Sequence, residues 1–251
     1  MGSGIVPLDS LPEPPPSTPL CVVVPTLNEA AHLGSTLAAA FAQGVPHRLM
    51  VVDGGSGDGT ADLARDHGVP VLNGVRGRAR QMNRGARALS GNRDSSGRDD
   101  AILFLHADTR LPEGGLSAVT AALRDPAVVG GRFRVRFDRS HPALRLMAWM
   151  SRWPQARFAF GDQAFFVRRS VFEKLGGFET IPLFEDVRFF RRLASHGRVV
   201  VLPMSVTTSA RRFDDDGVIR SFMRNTGLMA AHDLGISPVR LSCWYAATTR
   251  G

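Results

Sequence analysis

Val22-Val23-Val24-Pro25-Thr26-Leu27-Asn28-Glu29 and Met50-Val51-Val52-Asp53-Gly54-Gly55-Ser56-Gly57-Asp58-Gly59-Thr60 decide the fold. Each is a short apolar run that stops at a polar cluster, and one helix's worth of chain lies between them. Strand, helix and strand in that spacing form a βαβ unit. Its strand ends matter because ligands of open α/β sheets bind outside the carboxyl ends of the strands, where the turning chain offers carboxylates and free N–H groups.

Outward from that unit the alternation continues. Strands are predicted over 20–24 and 48–52, with helices over 30–43 and 60–67, the second capped by Thr60. A strand over 69–72 leads through Gly74 and Gly77 into a helix ending at Leu89. Residues 91–100, all Ser, Gly, Asn, Arg or Asp, read as a flexible surface loop. A strand over 101–105 ends in His106-Ala107-Asp108-Thr109, and Pro112 starts the next helix. From Val128 the pattern loosens into a half-exposed strand over 130–137, a helix over 144–153 and a strand over 158–167 broken by Gly161-Asp162-Gln163. A helix over 185–196 and two late strands over 199–202 and 206–209 follow. Alternation first and mixed elements later predict one α/β domain with a nucleotide-binding half and a substrate-binding half.

At 251 residues and 43% apolar the chain is long enough to bury a full core. Residues 1–19 hold Pro12, Pro14, Pro15, Pro16 and Pro19 among Ser, Gly and Glu, a composition that buries none, so a loose arm is expected there. No apolar stretch approaches the ~20 residues of a membrane-spanning helix, and the polar lead lacks the apolar segment of a signal peptide. The expectation is a cytoplasmic protein. Cys21 and Cys243 are too few and too far apart for a metal knuckle or a disulfide framework. The net charge of +8 is carried almost wholly by arginine, Lys174 being the one lysine, and is spread along the chain. With no aromatic-rich RNA module, zinc finger or basic heptad helix, nucleic acid is not the expected partner.

Several side chains then stand out. Asp53 ends a strand where a glycine turn begins; a carboxylate there accepts from a ribose hydroxyl or base N–H, or simply builds the turn. The glycine run lacks the Gly-Lys-Ser/Thr ending of a phosphate loop. Asn28 and Glu29 read as helix cap and first-turn acid, or as a second pocket wall beside Asp53. Asp108 ends a third strand, where one oxygen ligand suits Mg²⁺ or Mn²⁺ completed by phosphate and water. His106 projects to the same side, to touch ribose, ligate metal or pack. Glu185 and Asp186 open a helix, as ordinary first-turn acids or as a general base facing a pocket. The Gly161-Asp162-Gln163 break favours a ligand contact or a bulge. Among the arginines, Arg80 and Arg212 are preferred for a diphosphate, which arginine reads bidentately.

Taken in order, Pro25-Thr26-Leu27-Asn28-Glu29, Val52 to Thr60, Asn83, His106-Ala107-Asp108, Gly161-Asp162-Gln163 and Glu185-Asp186 resemble glycosyltransferase family 2, inverting enzymes of the GT-A fold. The likeness spans about residues 20–212. More narrowly, Gly77-Arg78-Ala79-Arg80-Gln81-Met82-Asn83, His106 to Pro112 and Ser209-Ala210-Arg211-Arg212-Phe213 look like the bacterial arsenosugar-biosynthesis-associated subgroup. The resemblance implies an α/β, Rossmann-like nucleotide-binding sheet flanked by helices and continuous with a mixed acceptor-binding half. It implies that Pro25, Thr26, Glu29 and Asp53 hold base and ribose, with Arg80 and Asn83 in the same pocket. Asp108 matches the metal-meeting acid of the family's Asp-x-Asp motif, whose first acid His106 replaces. Asp186 matches the general base, with Glu185 beside it, while Gly161, Asp162 and Gln163 face sugar and acceptor. The implied partners are a nucleotide-diphosphate sugar and an acceptor hydroxyl, the implied cofactor a divalent metal.

Two alternatives stay open. The altered metal triplet also suits a nucleotide-sugar-binding protein without turnover, whereas a nucleotidyltransferase would want a glycine-rich basic loop after strand one, which residues 25–31 do not supply. The domain is read as 20–213, with 214–251 an amphipathic helical extension packed on it. The basic, amphipathic stretch over 217–234 also suits a peripheral contact with the inner face of a membrane.

Overall fold

The computed structural model of the chain describes residues 20–74, 76–89, 100–155, 158, 159, 161–214 and 217–248. The Pro-rich arm and all but the last residue of the 91–100 loop lie outside them. The elements are β1 (Leu20–Thr26), α1 (Ala30–Phe41), β2 (His47–Asp53), α2 (Thr60–Asp66), β3 (Val71–Leu72), α3 (Arg78–Ala88), β4 (Ala101–Phe104), β5 (Thr109–Arg110), α4 (Gly115–Ala122), β6 (Val128–Phe137) and α5 (Pro142–Met150). A 3₁₀ turn (Gly161–Gln163), β7 (Phe165–Arg168), α6 (Arg169–Lys174), α7 (Glu185–Ala194), β8 (Arg198–Thr208), a second 3₁₀ turn (Arg211–Phe213), α8 (Val218–Asp233) and α9 (Pro238–Thr248) complete them.

The strands form one sheet in the order β3-β2-β1-β4-β7-β6-β8-β5. β3, β2, β1 and β4 run parallel, which sets Thr26 opposite Asp53. β7 reverses, so Phe165 at its start lies opposite Phe104 at the end of β4. The turn before β7 therefore arrives at the edge where β1, β2 and β4 finish. β8 ends with Thr208 opposite Thr109, and Arg211 and Arg212 follow it to the same place.

The leading strands read as unbroken apolar runs because both their faces are buried. Val22, Val24 and Leu103 pack with Leu33 and Leu37 of α1 on one side; Cys21, Val23, Ile102 and Phe104 pack with Met82 and Ala86 of α3 on the other. Each such aliphatic side chain removed from water contributes about 1.5–3 kcal/mol. α3 lies close against the sheet because Gly85 carries no side chain: a Cβ there would sit 2.4 Å from Val23 Cγ1 and 2.9 Å from Val52 Cγ2.

Some local expectations give way to tertiary structure. The late strands are one, β8, which passes through Pro203 because its register against β6 shifts between Arg132 and Arg134, sparing the proline a ladder bond it cannot donate. Of residues 158–167 only the end is strand; the buried guanidinium of Arg132 holds the turn before it, donating to Gln163 Oε1 at 2.6 Å and to the Ser151 carbonyl at 2.7 Å. Thr60 is the first residue of α2, the cap position being taken by Gly59 at φ 85°. Likewise α4 begins at Gly115, after a left-handed Gly114, so Pro112 precedes the helix. At the other end, α8 packs against α5 and buries Leu228, Met229 and His232 while Ile219 and Met223 stay exposed. No helix among the described residues is long and apolar enough to cross a membrane.

Candidate active site

The ends of β1 and β2 carry a closed hydrogen-bond set. Asp53 is 3% exposed. One of its oxygens accepts from Thr26 Oγ1 at 3.0 Å and Ser56 Oγ at 2.5 Å, the other from the N–H groups of Gly55 and Ser56 at 2.8 Å each. Burial pushes this carboxyl up, but the bonds from Ser56, Gly55 and Thr26 outweigh it and hold Asp53 below the usual carboxylate range. Gln81 of α3 donates to the carbonyls of Thr26 at 2.7 Å and Val52 at 2.8 Å, closing the two strand ends together. The N–H groups of Asn28 and Glu29 donate to Ser56 Oγ and Thr60 Oγ1, both at 2.8 Å.

A cation sits between two of the predicted acids. Arg211 donates to both oxygens of Glu29 and lies 3.5 Å from Asp108 Oδ2. Burial raises the Glu29 carboxyl above its ordinary value, and the Arg211 bond only partly offsets this. Arg212, the next residue, points elsewhere and comes within 3.9 Å of Asp162 Oδ2. Adjacent arginines in one 3₁₀ turn thus serve two neighbouring acid groups.

A cleft of about 630 Å³ opens here, its walls carrying Arg78, Arg80, His106, Asp162, Asp186 and Arg212. Asp186, at the start of α7, is pinned by two backbone donors, Gly161 N–H at 2.6 Å and Val187 N–H at 2.7 Å. Burial, followed by the charge of Glu185, pushes its pKa up to about 6. Arg78 lies 3.4 Å from Glu185 Oε1. His106 is kept neutral by burial first, then by Arg78 and Arg212, and its Nε2 is buried with no hydrogen-bond partner. Asp162 Oδ1 is in the same condition, and burial raises that carboxyl too. Gly161 makes the assembly possible, since a Cβ there would lie 2.6 Å from His106 Nε2 and 3.3 Å from Asp186 Oδ2.

Backbone strain marks the same region. The non-glycine residues with positive φ among the described residues are Asn28 (55°), Ala164 (48°) and Phe184 (65°), and each adjoins a candidate segment: Glu29, the 161–163 turn and Glu185. Left-handed backbone at bulky residues is costly and gathers at ligand sites.

The structure therefore brings Arg80, His106, Gly161, Asp162, Glu185, Asp186 and Arg212 around one cleft. Pro25, Thr26, Glu29, Asp53 and Asp108 gather at the strand ends outside its lining. Two of the predicted contacts also act as struts. Asn83 spends its amide on the backbone of Phe178, donating to the carbonyl at 2.8 Å and accepting from the N–H at 2.9 Å. Gln163 accepts from Arg132 and donates to the Phe158 carbonyl at 2.7 Å. Sequence reasoning missed Gln81 and the bridging role of Arg211. The one was signalled by an amide among the apolar positions of α3; the other had no signal separating it from Arg212. Among the described residues no three His, Cys, Asp or Glu side chains form a group able to hold a metal by themselves.

The family model described as Glycosyl transferase family 2 matches residues 21–176. No curated protein matches the chain by sequence. Among solved structures the fold is similar to mannosyltransferase PcManGT from Pyrobaculum calidifontis in complex with GDP-Man and Mn²⁺, at TM-score 0.62 and 20% identity over 98% of this chain and 84% of that one. It is also similar to S. aureus TarS 1-349 in complex with UDP-GlcNAc, at TM-score 0.60 and 15% identity over 89% of this chain and 69% of that one. The expected mixed α/β architecture with helices flanking a central sheet is the GT-A glycosyltransferase fold.

Proposed function

This chain belongs to glycosyl transferase family 2, and from that premise we propose that it is an inverting enzyme moving a sugar from a nucleotide-diphosphate sugar to an acceptor hydroxyl, with Asp186 as general base. The observation that carries the reading is Asp186 itself: a carboxylate aimed by two backbone N–H groups, with a pKa near 6, on the wall of a cleft that also bears arginines. A base is most effective when its pKa lies close to the working pH. Relatives in fold are seen with GDP-Man and with UDP-GlcNAc, which supports a nucleotide-sugar donor.

The acceptor oxygen attacks the anomeric carbon from the face opposite the leaving group, and its proton passes to Asp186. The bond from that carbon to the diphosphate oxygen breaks, its electron pair leaving with the nucleoside diphosphate. Arg80 and Arg212, on the cleft wall, would meet the developing charge, with Arg78 shared between the cleft and Glu185. His106, neutral, offers a hydrogen bond where a second acid would repel the phosphates. Asp108 is the residue that would hold Mg²⁺ or Mn²⁺, since one carboxylate with phosphate oxygens and water satisfies either ion. When bound, such an ion adds charge stabilisation at the departing diphosphate.

The test is nucleoside diphosphate release from a panel of nucleotide sugars, with and without Mn²⁺, by the native chain and by Asp186→Asn. Release that needs Asp186, with nucleotide binding unchanged in the variant, is expected. Equal loss of binding and release in the variant would remove Asp186 from the role of base.

A further inference from the structure

Asp162 faces two spaces. One is the cleft; the other is a separate cavity of about 270 Å³ between β6, α5 and α8, and Met147, Asp162 and Asn225 line both. The second cavity is walled largely by apolar side chains, among them Val135, Phe137, Met150, Phe158, Phe222 and Met229. Asp162 stands between the two, its Oδ1 buried and without a hydrogen-bond donor. An unsatisfied buried acceptor is costly, and a small turn of this side chain toward either space lets a ligand bring the missing donor.

Apolar hollows with a few placed polar groups take small organic molecules. At about 30 Å³ per water-sized group this one admits on the order of nine non-hydrogen atoms. The surface around it continues the same character: Leu146 and Trp149 of α5 and Ile219 and Met223 of α8 are exposed. Gly161, the neighbour of Asp162, donates its N–H to Asp186 at 2.6 Å, so a hydroxyl bound at Asp162 lies beside the base.

We propose that this cavity is the acceptor subsite and that the acceptor is an alcohol with an apolar body, an alkyl or aryl chain seated between α5 and α8 and its hydroxyl donated to Asp162 Oδ1. The acceptor role rests on the transferase reading; the chemistry of the cavity's ligand does not. On transfer the hydroxyl turns its one proton from Asp162 to Asp186, which takes it; a bond forms between its oxygen and the anomeric carbon, and the diphosphate leaves with the electron pair of the broken bond.

The probe is a series of n-alkyl alcohols from butanol to nonanol, titrated into the full chain and followed by thermal shift, with UDP and GDP titrated in parallel. Affinity is expected to rise about fourfold per methylene, the gain of burying one such group, and nonanol to raise nucleoside diphosphate release at least tenfold over water as acceptor. Ala230→Trp, from an exposed position on the cavity wall, should weaken nonanol at least tenfold and leave the nucleotide shift in place; Thr226→Phe fills the same space if the first variant fails to fold. Absence of alcohol binding, no dependence on chain length, or full binding by a folded, plugged variant would each overturn the proposal while nucleotide binding stands. Alcohol binding with no nucleotide binding would overturn the transferase reading instead, and the acceptor role with it.

Discussion

The ends of β1 and β2 and the turn before β7 both present buried carboxylates at one edge of one sheet, yet they are opposites. Asp53 receives four hydrogen bonds and is held below its ordinary pKa. Asp162 has an oxygen with no donor, His106 a nitrogen with no partner, and Asp186 is pushed up to about 6. The Asp53 carboxylate is fully bonded within the protein; the second region keeps unmatched groups, which on the proposed reading a ligand completes. Polar groups satisfied internally contribute stability, whereas groups left unsatisfied in a cleft hold their interactions for substrate.

That contrast can be broken by experiment. Asp186→Asn should lower turnover by about 10³-fold, within the range for general-base loss, with little change in the melting temperature. The sign follows from linkage: a carboxyl whose folded pKa is raised favours the folded state when protonated, and that stabilisation is lost as pH rises through about 6, so removing the charge above it offsets the one backbone bond that an amide nitrogen cannot accept. In the native chain kcat/KM should fall as pH drops through about 6. A large fall in melting temperature would show that the second region is scaffold after all.

Asp53→Ala should do the reverse. Leaving the hydroxyls of Thr26 and Ser56 and two N–H groups without their acceptor should cost about 3 kcal/mol, lowering Tm by roughly 6–12 °C in a chain of this size. Because its folded pKa is depressed, the stability Asp53 contributes is present above its unfolded pKa near 3.8 and is lost as pH falls through the folded value. Urea melts at pH 7 and pH 3 would measure both, and an unchanged melt with lost nucleotide binding would make Asp53 a ligand contact.

Asp108→Ala, between the two regions, should reduce turnover by about 10²-fold, the scale of one electrostatic stabiliser, and abolish stimulation by Mn²⁺ measured after chelation and re-addition. Retained stimulation would assign the metal elsewhere. Gly161→Ala is the mildest test: its Cβ presses on His106 and Asp186, and about a tenfold loss in kcat with little change in nucleotide affinity is expected from the displaced base.

How far each region was legible follows the same division. The β1–β2 unit could be read because its chemistry is local: two apolar runs end in turn residues, and Asp53, Gly55 and Ser56 meet within four positions. Gly161, Asp162, Glu185 and Asp186 were singled out by position and family likeness, but nothing in the string shows that Gly161 N–H meets Asp186 across 25 positions. Asn83 and Gln163 look like pocket residues by motif; their amides also hold backbone, and Gln163 lines the second cavity as well, because an amide serves a ligand or a backbone equally well. Arg211 and Arg212 could not be told apart, since in a 3₁₀ turn consecutive side chains diverge.

By itself the sequence determined the doubly buried parallel strands, the helices between them and the set of polar residues at their ends, because period, turn chemistry and capping act over a few residues. Only the tertiary structure decided which of those polar groups satisfy one another and which remain buried and unmatched around a cleft. That partition depends on strand order and on the reversal of β7, which bring residues far apart in the chain into a low-dielectric space where a missing partner is felt most strongly.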